Sequence, residues 1–346
     1  MKAAVLRAGQ MVVDDVADPV PGEGQVLVQT KACGICGSDL HAALHAERMV
    51  ELTKEATASA GGGMAPMVFE TGRDLVMGHE FAAEVLELGP GTAGVSPGQI
   101  VVSMPVVADQ RGIHAVGYSN DYPGGYAERM LLSAGLLLQV PNGLDARRAA
   151  LTEPMAVGVH AVNRSSIAPG SAALVIGAGP VGLAVIAALR LKGIEPIVAA
   201  DFSARRRQLA STMGAHEVVD PREEPAIDAW RRVDGRRPLV IFEAVGVPGV
   251  IDQAMRAAPS QTEIVVVGVC METDHVQPFM GITKELTVKF SMAYDPMEFA
   301  STLQSIAEGA LDVSPLITGT VGIDDVPQAF TDLANPDAHA KIVVEP

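Results

Sequence analysis

The sequence predicts an α/β protein of two domains, a doubly wound parallel sheet in the second half and an irregular β-rich domain built mainly from the first half. Three observations carry this. From about residue 155, short apolar runs alternate with helix-length segments, the rhythm of a parallel sheet covered on both faces. Before that point, Pro-Gly and Gly-Pro dipeptides punctuate apolar runs of strand length. And 346 residues exceed what one hydrophobic core usually serves.

Residues 1–45 read as short strands: MKAAVL, a turn over Pro19–Gly24, then QVLVQTKACGICGSD. Phe81–Leu88 and Gln99–Val107 have strand length and composition, separated by turns at Gly89-Pro90-Gly91 and Pro97-Gly98. Ala56–Met67, rich in Ala, Gly and Met, reads as a mobile loop. In the second half, Ala172–Ile176 is a strand, Val181–Lys192 a helix, Pro196–Ala200 a strand and Ala204–Met213 a helix. Leu239–Glu243, Val250–Ala258 and Glu263–Val269 continue the alternation. From about 290 the chain returns to short strands and one helix, Pro296–Glu308. The predicted division is therefore 1–154 with 290–346, and 155–289.

Apolar residues make up 48% of the chain, enough for a sizeable core, yet no run has the length and purity of a membrane span. The N-terminus lacks the features of a secretory signal, and three cysteines cannot form a disulfide framework, so a cytoplasmic protein is expected. A formal charge of −16 argues against nucleic acid or an anionic membrane as partner. An anionic cofactor would have to be held by local dipoles and placed arginines.

One such site is legible. Ala173–Ile176 runs into Gly177-Ala-Gly179-Pro180-Val181-Gly182, a strand leading through G-x-G-x-x-G into a helix. The first glycine makes the tight turn and the second admits a pyrophosphate. The third lets helix and strand pack closely, and the helix N-terminus attracts phosphate. Asp201 follows the next apolar strand, where a carboxylate accepts ribose hydroxyls and repels a 2′-phosphate. The pattern predicts a Rossmann dinucleotide fold binding NAD, with NADP less favoured. Of the following arginines, Arg206 is the candidate cofactor contact, while Arg205 and Arg207 are expected on a solvated helix face.

A second constellation joins Cys33-Gly-Ile-Cys36-Gly-Ser38-Asp39-Leu-His41 with His79-Glu80 and Glu153. Cys, His and carboxylate are zinc ligands, and three protein ligands with one open position mark a catalytic site. Spacing alone leaves this suggestive. Cys33 reads as a small buried neighbour rather than half of a redox pair, and His45 and His114 as surface histidines.

The strings GICGSDLH, GHE, GGYAE (124–128), TEPMAVGVHA, IGAGPVGL and KELTVKFS (284–291) occur in an order that resembles the zinc-dependent medium-chain alcohol dehydrogenases over nearly the whole chain. Glu153, where liver-type enzymes have cysteine, makes it most similar to the sorbitol, butanediol and secondary-alcohol branch. The resemblance implies a GroES-like catalytic domain beside the Rossmann domain. It also implies hydride transfer between a secondary alcohol or ketone and NAD, and a homodimer or homotetramer. By the same resemblance Cys36, His79 and Glu153 hold zinc, Glu153 directly or through water, with Glu80 an alternative ligand. Ser38 would hydrogen-bond the alcohol, His41 would pass its proton on, and Asp39 would orient His79. Gly179–Val181, Asp201 and Arg206 match dinucleotide contacts. Gly268, Val269, Cys270, Met292, Ala293 and Tyr294 match segments facing the nicotinamide half, with Cys270 expected mainly to pack.

The chain departs from this pattern in three places. Val101–Tyr126, where many relatives carry a second zinc on four cysteines, contains no cysteine, so one zinc per chain is expected and apolar residues should hold that lobe. Glu47–Asp74 is longer than the family spacing and, lying between two ligand segments, suggests a lid over the pocket mouth in preference to the alternative, a subunit contact. Ala42 and Ala293 replace side chains that would anchor a polyol, which points to a bulky, apolar secondary alcohol. The alternatives are a polyol dehydrogenase, or a zinc-free quinone or enoyl reductase of the same fold.

Overall fold

The computed structural model describes residues 1–60 and 69–346. The chain forms two compact units. One comprises Met1–Glu153, Ile317–Asn335 and Lys341–Pro346; the other comprises Pro154–Leu316 and Pro336–Ala340.

The first unit opens with the hairpin β1 (Lys2–Arg7) and β2 (Gln10–Asp15), then β3 (Gln25–Gly34), α1 (Gly37–Ala60) and β4 (Glu80–Leu88). β5 (Ile100–Ser103), β6 (Val106–Asp109), β7 (Gly112–Ala115), β8 (Arg129–Ser133) and β9 (Leu137–Gln139) follow, then the short helix α2 (Ala146–Ala150) and the start of α3 (Thr152–Arg164). β3, β4, β5 and β9 lie side by side, and β8 also pairs with β3. The far edge is completed by Ile317–Val321 and Lys341–Val344, the latter antiparallel to β3. Glu80 stands opposite Gly34, and Val343 faces the same glycine from the other side. The last strand of the chain thus lies next to the segment leading to Cys36.

Strand structure does not extend through Ser38 to residue 45, as the sequence suggested. The chain turns helical at Gly37, because Asp39 Oδ2 accepts from Cys36 N at 3.0 Å and the following Ala-, Leu-, Glu- and Met-rich residues favour a helix. α1 kinks at His45 and continues to Ala60, so the expected loop begins later than Ala56. Met64, Met67 and Val68, assigned to the lid, lie outside the described residues. Met49 and Phe69 are buried. The stretch after Phe69 is fastened to the lobe: Asn120 Oδ1 accepts from Glu70 N at 2.7 Å, and its Nδ2 donates to Asp74 O at 3.0 Å.

The second unit contains β10 (Ala172–Ile176), α4 (Pro180–Leu191), β11 (Ile197–Ala200), α5 (Ala204–Met213), β12 (Glu217–Val219) and α6 (Ala226–Val233). It continues with β13 (Leu239–Glu243), α7 (Val250–Ala257), β14 (Glu263–Val266), α8 (Pro278–Lys284), β15 (Thr287–Phe290) and α9 (Pro296–Ala307). Its six strands are all parallel, in the order β12-β11-β10-β13-β14-β15. Leu174, Val198, Trp230, Ile241, Met255 and Ile264 belong to its core. The division after residue 290 differs from the sequence expectation. α9 packs with this unit because its capping-box Glu298 also accepts from His160 at 2.6 Å and Asn163 at 2.9 Å on α3. No helix among the described residues is long and apolar enough to cross a membrane.

The lobe between β5 and β8 is held differently from the apolar packing expected of it. Val107, Ala115 and Val116 are buried, but the centre is Asp109. Its carboxylate accepts from Arg111 N and Nε, Tyr122 OH and His114 Nε2, all within 2.8 Å. Arg111 reaches on to Asp121, which also pairs with Arg73. Four donors converge on one carboxylate in a lobe that contains no cysteine.

These donors hold the Asp109 carboxyl well below the ordinary value of 3.8. A depressed carboxylate stabilises the fold above its unfolded pKa and loses that contribution as pH falls below it. Asp109→Ala should therefore lower Tm by several degrees at pH 7, with the deficit shrinking below about pH 4. Calorimetry across pH checks this; an equal deficit at pH 3 and pH 7 would show that the ionised carboxylate is not what holds the lobe.

Candidate active site and cofactor site

The metal-binding candidates come from two neighbouring strands. Cys36 follows β3, and His79 and Glu80 stand at the entrance to β4, so the pairing of these strands brings distant sequence segments together. One ligand atom each from Cys36, His79 and Glu80 lies within 4.8 Å of the others. Glu153, half-buried in the first turn of α3, is not part of that trio, although its charge acts on Lys341.

Asp39 organises the trio. Fully buried, it accepts from Cys36 N at 3.0 Å, Tyr126 OH at 2.6 Å and Tyr118 OH at 2.9 Å. Its Oδ1 lies 3.3 Å from His79 Nδ1, an ion-pair distance whose geometry leaves Nδ1 without a hydrogen bond. Burial raises the pKa of Asp39, but His79 and the hydroxyl and amide donors outweigh it and hold the carboxyl below its ordinary range. Burial likewise opposes a charge on His79, yet Asp39 and the Cys36 sulfur push its pKa well above that of an ordinary histidine. The pocket therefore calls for positive charge. A thiolate, an imidazole and carboxylates are the donor set of zinc, and they fit it.

Lys341 was not singled out in the sequence. It is fully buried, and its Nζ lies 2.7 Å from both oxygens of Glu80 and donates to Ile35 O at 3.0 Å. Burial lowers its pKa, but Glu80, Cys36 and Glu153 more than restore it, and the ammonium stays charged. Gly34 makes room: a Cβ there would lie 2.1 Å from Glu80 Oε2. Only the cross-strand register reveals this lysine, since nothing near position 341 carries a motif.

Ser38 and His41 occupy the first turns of α1. Ser38 Oγ lies 2.9 Å from Tyr118 OH. His41 is half-buried, and its pKa is lowered by burial and by His45, whose ring centroid is 6.5 Å away. His45 is exposed, as expected, whereas His114 is tied into the Asp109 cluster. Cys33 is buried, its thiol pushed up by burial and by the charges of Asp39 and Glu80. Ala42 is fully buried.

In the second unit, the candidate cofactor residues follow the carboxyl ends of adjacent parallel strands, where open α/β sheets bind ligands. Gly177–Gly182 follow β10 and Asp201 follows β11. Gly268–Cys270 come just after β14 and Met292–Tyr294 just after β15. Gly177 has φ +92°, and a Cβ on Gly182 would lie 1.9 Å from Gly177 O. Gly179, by contrast, faces only the Arg206 guanidinium, at 3.8 Å, so the backbone there is open to a ligand. Asp201 accepts from Ala178 N and Ser203 N at 2.8 Å each. Arg206 NH1 lies 3.9 Å from Asp201, and its buried Nε has no hydrogen-bond partner among the described residues. Arg205 is exposed, but Arg207 is not on a solvated face: it donates to Asp201 O, Phe202 O and Asp220. Val269 and Met292 are exposed, Ala293 has φ +58°, Tyr294 stacks on Phe299, and the Cys270 thiol donates to Glu272 O. Glu243, unnoticed in the sequence, accepts from Val245 N and Gly246 N and shapes the loop after β13.

Replacing Lys341 with methionine strands the Glu80 charge in the core. The expected cost is about 3–5 kcal/mol in denaturant unfolding. Lys341→Met combined with Glu80→Leu should recover most of it, since a buried ion pair replaced by apolar groups is often neutral. A single variant as stable as the parent would contradict the pairing.

Comparison with known proteins agrees with this geometry. Residues 22–142 match the alcohol dehydrogenase GroES-like domain, and residues 180–308 match the zinc-binding dehydrogenase family. A (R,R)-butanediol dehydrogenase of Bacillus subtilis is 32% identical over 346 residues, covering 96% of each chain. The crystal structure of 2R,3R-butanediol dehydrogenase from Bacillus subtilis superposes with a TM-score of 0.84 at 30% identity, covering 100% of this chain and 99% of that one. A putative zinc-binding dehydrogenase from Sinorhizobium meliloti, solved bound to NADP, gives 0.83 at 28% identity over 100% and 99% of the two chains. The chain belongs to the zinc-binding medium-chain dehydrogenase family and is an NAD(P)-dependent zinc alcohol dehydrogenase related to the butanediol and sorbitol enzymes.

Proposed function

We propose that this enzyme oxidises a bulky, largely apolar secondary alcohol to its ketone, or the reverse, with NAD and one zinc ion per chain. The observation that carries the zinc chemistry is the convergence of Cys36, His79 and Glu80 beside the buried Asp39. It disfavours a zinc-free reductase, which needs no such donor set. Cys36 and His79 would hold the metal, with Glu153 directly or through water and Glu80 as the alternative carboxylate. Bound zinc supplies Lewis acidity that lowers the pKa of an alcohol hydroxyl.

The chain's own residues do the rest. Asp39 fixes the His79 ring, and Ser38 takes the hydrogen bond of the substrate hydroxyl. His41, kept neutral by burial and by its neighbour His45, can accept the released proton. Held by the Gly177–Gly182 loop and Asp201, NAD would supply the hydride acceptor for the substrate carbon. Cys36→Ser should lose both metal and activity, whereas Cys33→Ala should keep the metal. Elemental analysis checks both; nearly two zinc ions per chain would overturn the single-site reading.

For the cofactor, a carboxylate at Asp201, directly after β11, supports NAD because it would repel a 2′-phosphate, and Arg207 is already committed to Asp220 and two carbonyls. Arg222 is committed to Asp220 as well, and donates to Phe202 O. Arg206, 3.9 Å from Asp201, is the dinucleotide contact that would pair with a 2′-phosphate once Asp201 is replaced. For the substrate, the butanediol dehydrogenases support a secondary hydroxyl, while Ala42 and Ala293 offer no hydrogen-bonding side chain to a polyol. The edge of β15, unpaired among the described residues, with Phe279, Ile282 and Phe290 exposed on and just before it, supports a homo-oligomer. Absorbance assays at 340 nm with both cofactors should show kcat/KM higher for NAD than NADP, and higher for cyclic or aryl secondary alcohols than for sorbitol or xylitol. Asp201→Ser should raise relative use of NADP. Preference of the parent enzyme for NADP, or for sorbitol, would refute the corresponding half of the proposal.

A further inference from the structure

The loop after β11 is fastened by a residue from far along the chain. Pro336–Ala340 belongs to the second unit, although the sequence on either side of it belongs to the first. Within it, Asp337 Oδ1 accepts from Ser203 Oγ at 2.5 Å. Ser203 is the N-cap of α5: its Oγ accepts from Arg206 N at 3.2 Å, and its own N donates to Asp201 Oδ1 at 2.8 Å. Asp337 therefore stands two hydrogen bonds, joined by one serine, from the carboxylate read as the ribose contact.

The charges that fasten this loop balance one another. Asp220 takes Arg207 at 3.0 Å and Arg222 Nε at 2.8 Å, and Arg222 also donates to Phe202 O, next to Asp201 in the chain. Arg206 NH1 lies 3.9 Å from Asp201. The remaining carboxylate is Asp337, whose charge acts on Arg222. Asp201, Asp220 and Asp337 thus face Arg206, Arg207 and Arg222. Guanidinium groups gathered this closely would otherwise favour a phosphate. Removing the Asp337 charge tips the balance toward positive, and a phosphate monoester carries about −1.5 to −2 charges at pH 7.

We infer that Asp337 is a specificity-determining residue for the cofactor: it sets a second carboxylate beside the ribose-binding loop and disfavours a 2′-phosphate there. The inference rests on the reading of Asp201 as the ribose contact, and it extends that reading to a segment of chain with no motif. Asp337 need not touch the cofactor. A fixed charge acts through its field over a Debye length, about 10 Å at 0.1 M salt, and two hydrogen bonds joined by one serine span less than that. Because Asp337 is exposed, water and salt screen it. Its effect is therefore modest, on the order of threefold to tenfold in affinity, and falls as ionic strength rises. If Asp337 served only to brace the N-cap of α5, it would not distinguish a phosphorylated ribose from a plain one.

The test compares two probes that differ only in the 2′-phosphate, AMP and 2′,5′-ADP, bound to the full-length, zinc-loaded enzyme and measured by calorimetry at low and high salt. Asp337→Asn keeps an oxygen to accept from Ser203 and removes the charge. It should lower the Kd of 2′,5′-ADP by about threefold to tenfold and leave that of AMP within about twofold, with the difference shrinking at high salt. The ratio of kcat/KM for NADP to that for NAD should rise with it. Asp337→Ala should shift the same ratio and also lower Tm, because the N-cap loses its partner. If Asp337→Asn changes both probes equally, or neither, Asp337 is only a brace for α5 and the inference is overturned. Asp201→Ser, measured in the same way, keeps the two readings apart. If it tightens 2′,5′-ADP while Asp337→Asn is silent, only the present inference falls. If Asp201→Ser alters the binding of neither probe, the reading of Asp201 as the ribose contact falls, whatever Asp337→Asn does.

Discussion

The Asp39 carboxylate is the constraint on which the catalytic unit depends. A buried charge is tolerated only when its lone pairs are filled, and here they are filled from separate parts of the chain. Cys36 N comes from the approach to α1 and Tyr118 and Tyr126 from the lobe and its exit, while His79, at the entrance to β4, stands 3.3 Å away at ion-pair distance. Each donor that satisfies Asp39 is thereby held in place. The Cys36 backbone, the His79 ring and Tyr118, whose hydroxyl lies 2.9 Å from Ser38 Oγ, all meet on this one carboxylate.

Lys341 and Glu80 apply the same logic to the other side of the site. The Glu80 carboxylate, the Cys36 sulfur and Glu153 are faced by a buried ammonium that arrives from the last strand of the chain. The pairing fixes Glu80, with Lys341 Nζ 2.7 Å from both of its oxygens. Against its burial, Asp39 and the Cys36 sulfur draw the His79 imidazole toward protonation. A divalent cation answers the same demand.

The lobe shows how a fold can keep a shape while changing what holds it. Asp109 gathers a guanidinium, an imidazole and a phenol from close sequence neighbours, and Arg111, Asp121 and Arg73 carry the ion pairs onward to the segment after Phe69. Charge-assisted hydrogen bonds are directional, so such a cluster can set loop geometry as a coordinated ion does. Tyr118 and Tyr126 leave this lobe and end on Asp39, so the order of the lobe bears on the geometry of the site.

What the sequence determined by itself is what depends on local pattern. The parallel sheet was legible from alternating apolar runs, and the glycine loop and Asp201 from their spacing, because each is a property of one supersecondary unit. Cys36, Ser38, Asp39, His79 and Glu80 were legible because they sit in short strings that resemble one family. Only the tertiary structure decided which groups answer one another across the sheet and across loops. Lys341 is 261 positions from Glu80, and only the register of β3 with its two neighbours unites them. Tyr118, Asp109 and Glu243 carry no motif, and an isolated tyrosine or carboxylate reads the same whether it is solvated or buried. Arg207 reads as a surface residue until Asp220 is placed beside it. The assignment of α9 to the second unit, too, hangs on Glu298 meeting His160, a contact that no periodicity encodes. Periodicity and spacing report on neighbours in the chain. Burial, charge compensation and hydrogen-bond direction are set by neighbours in space.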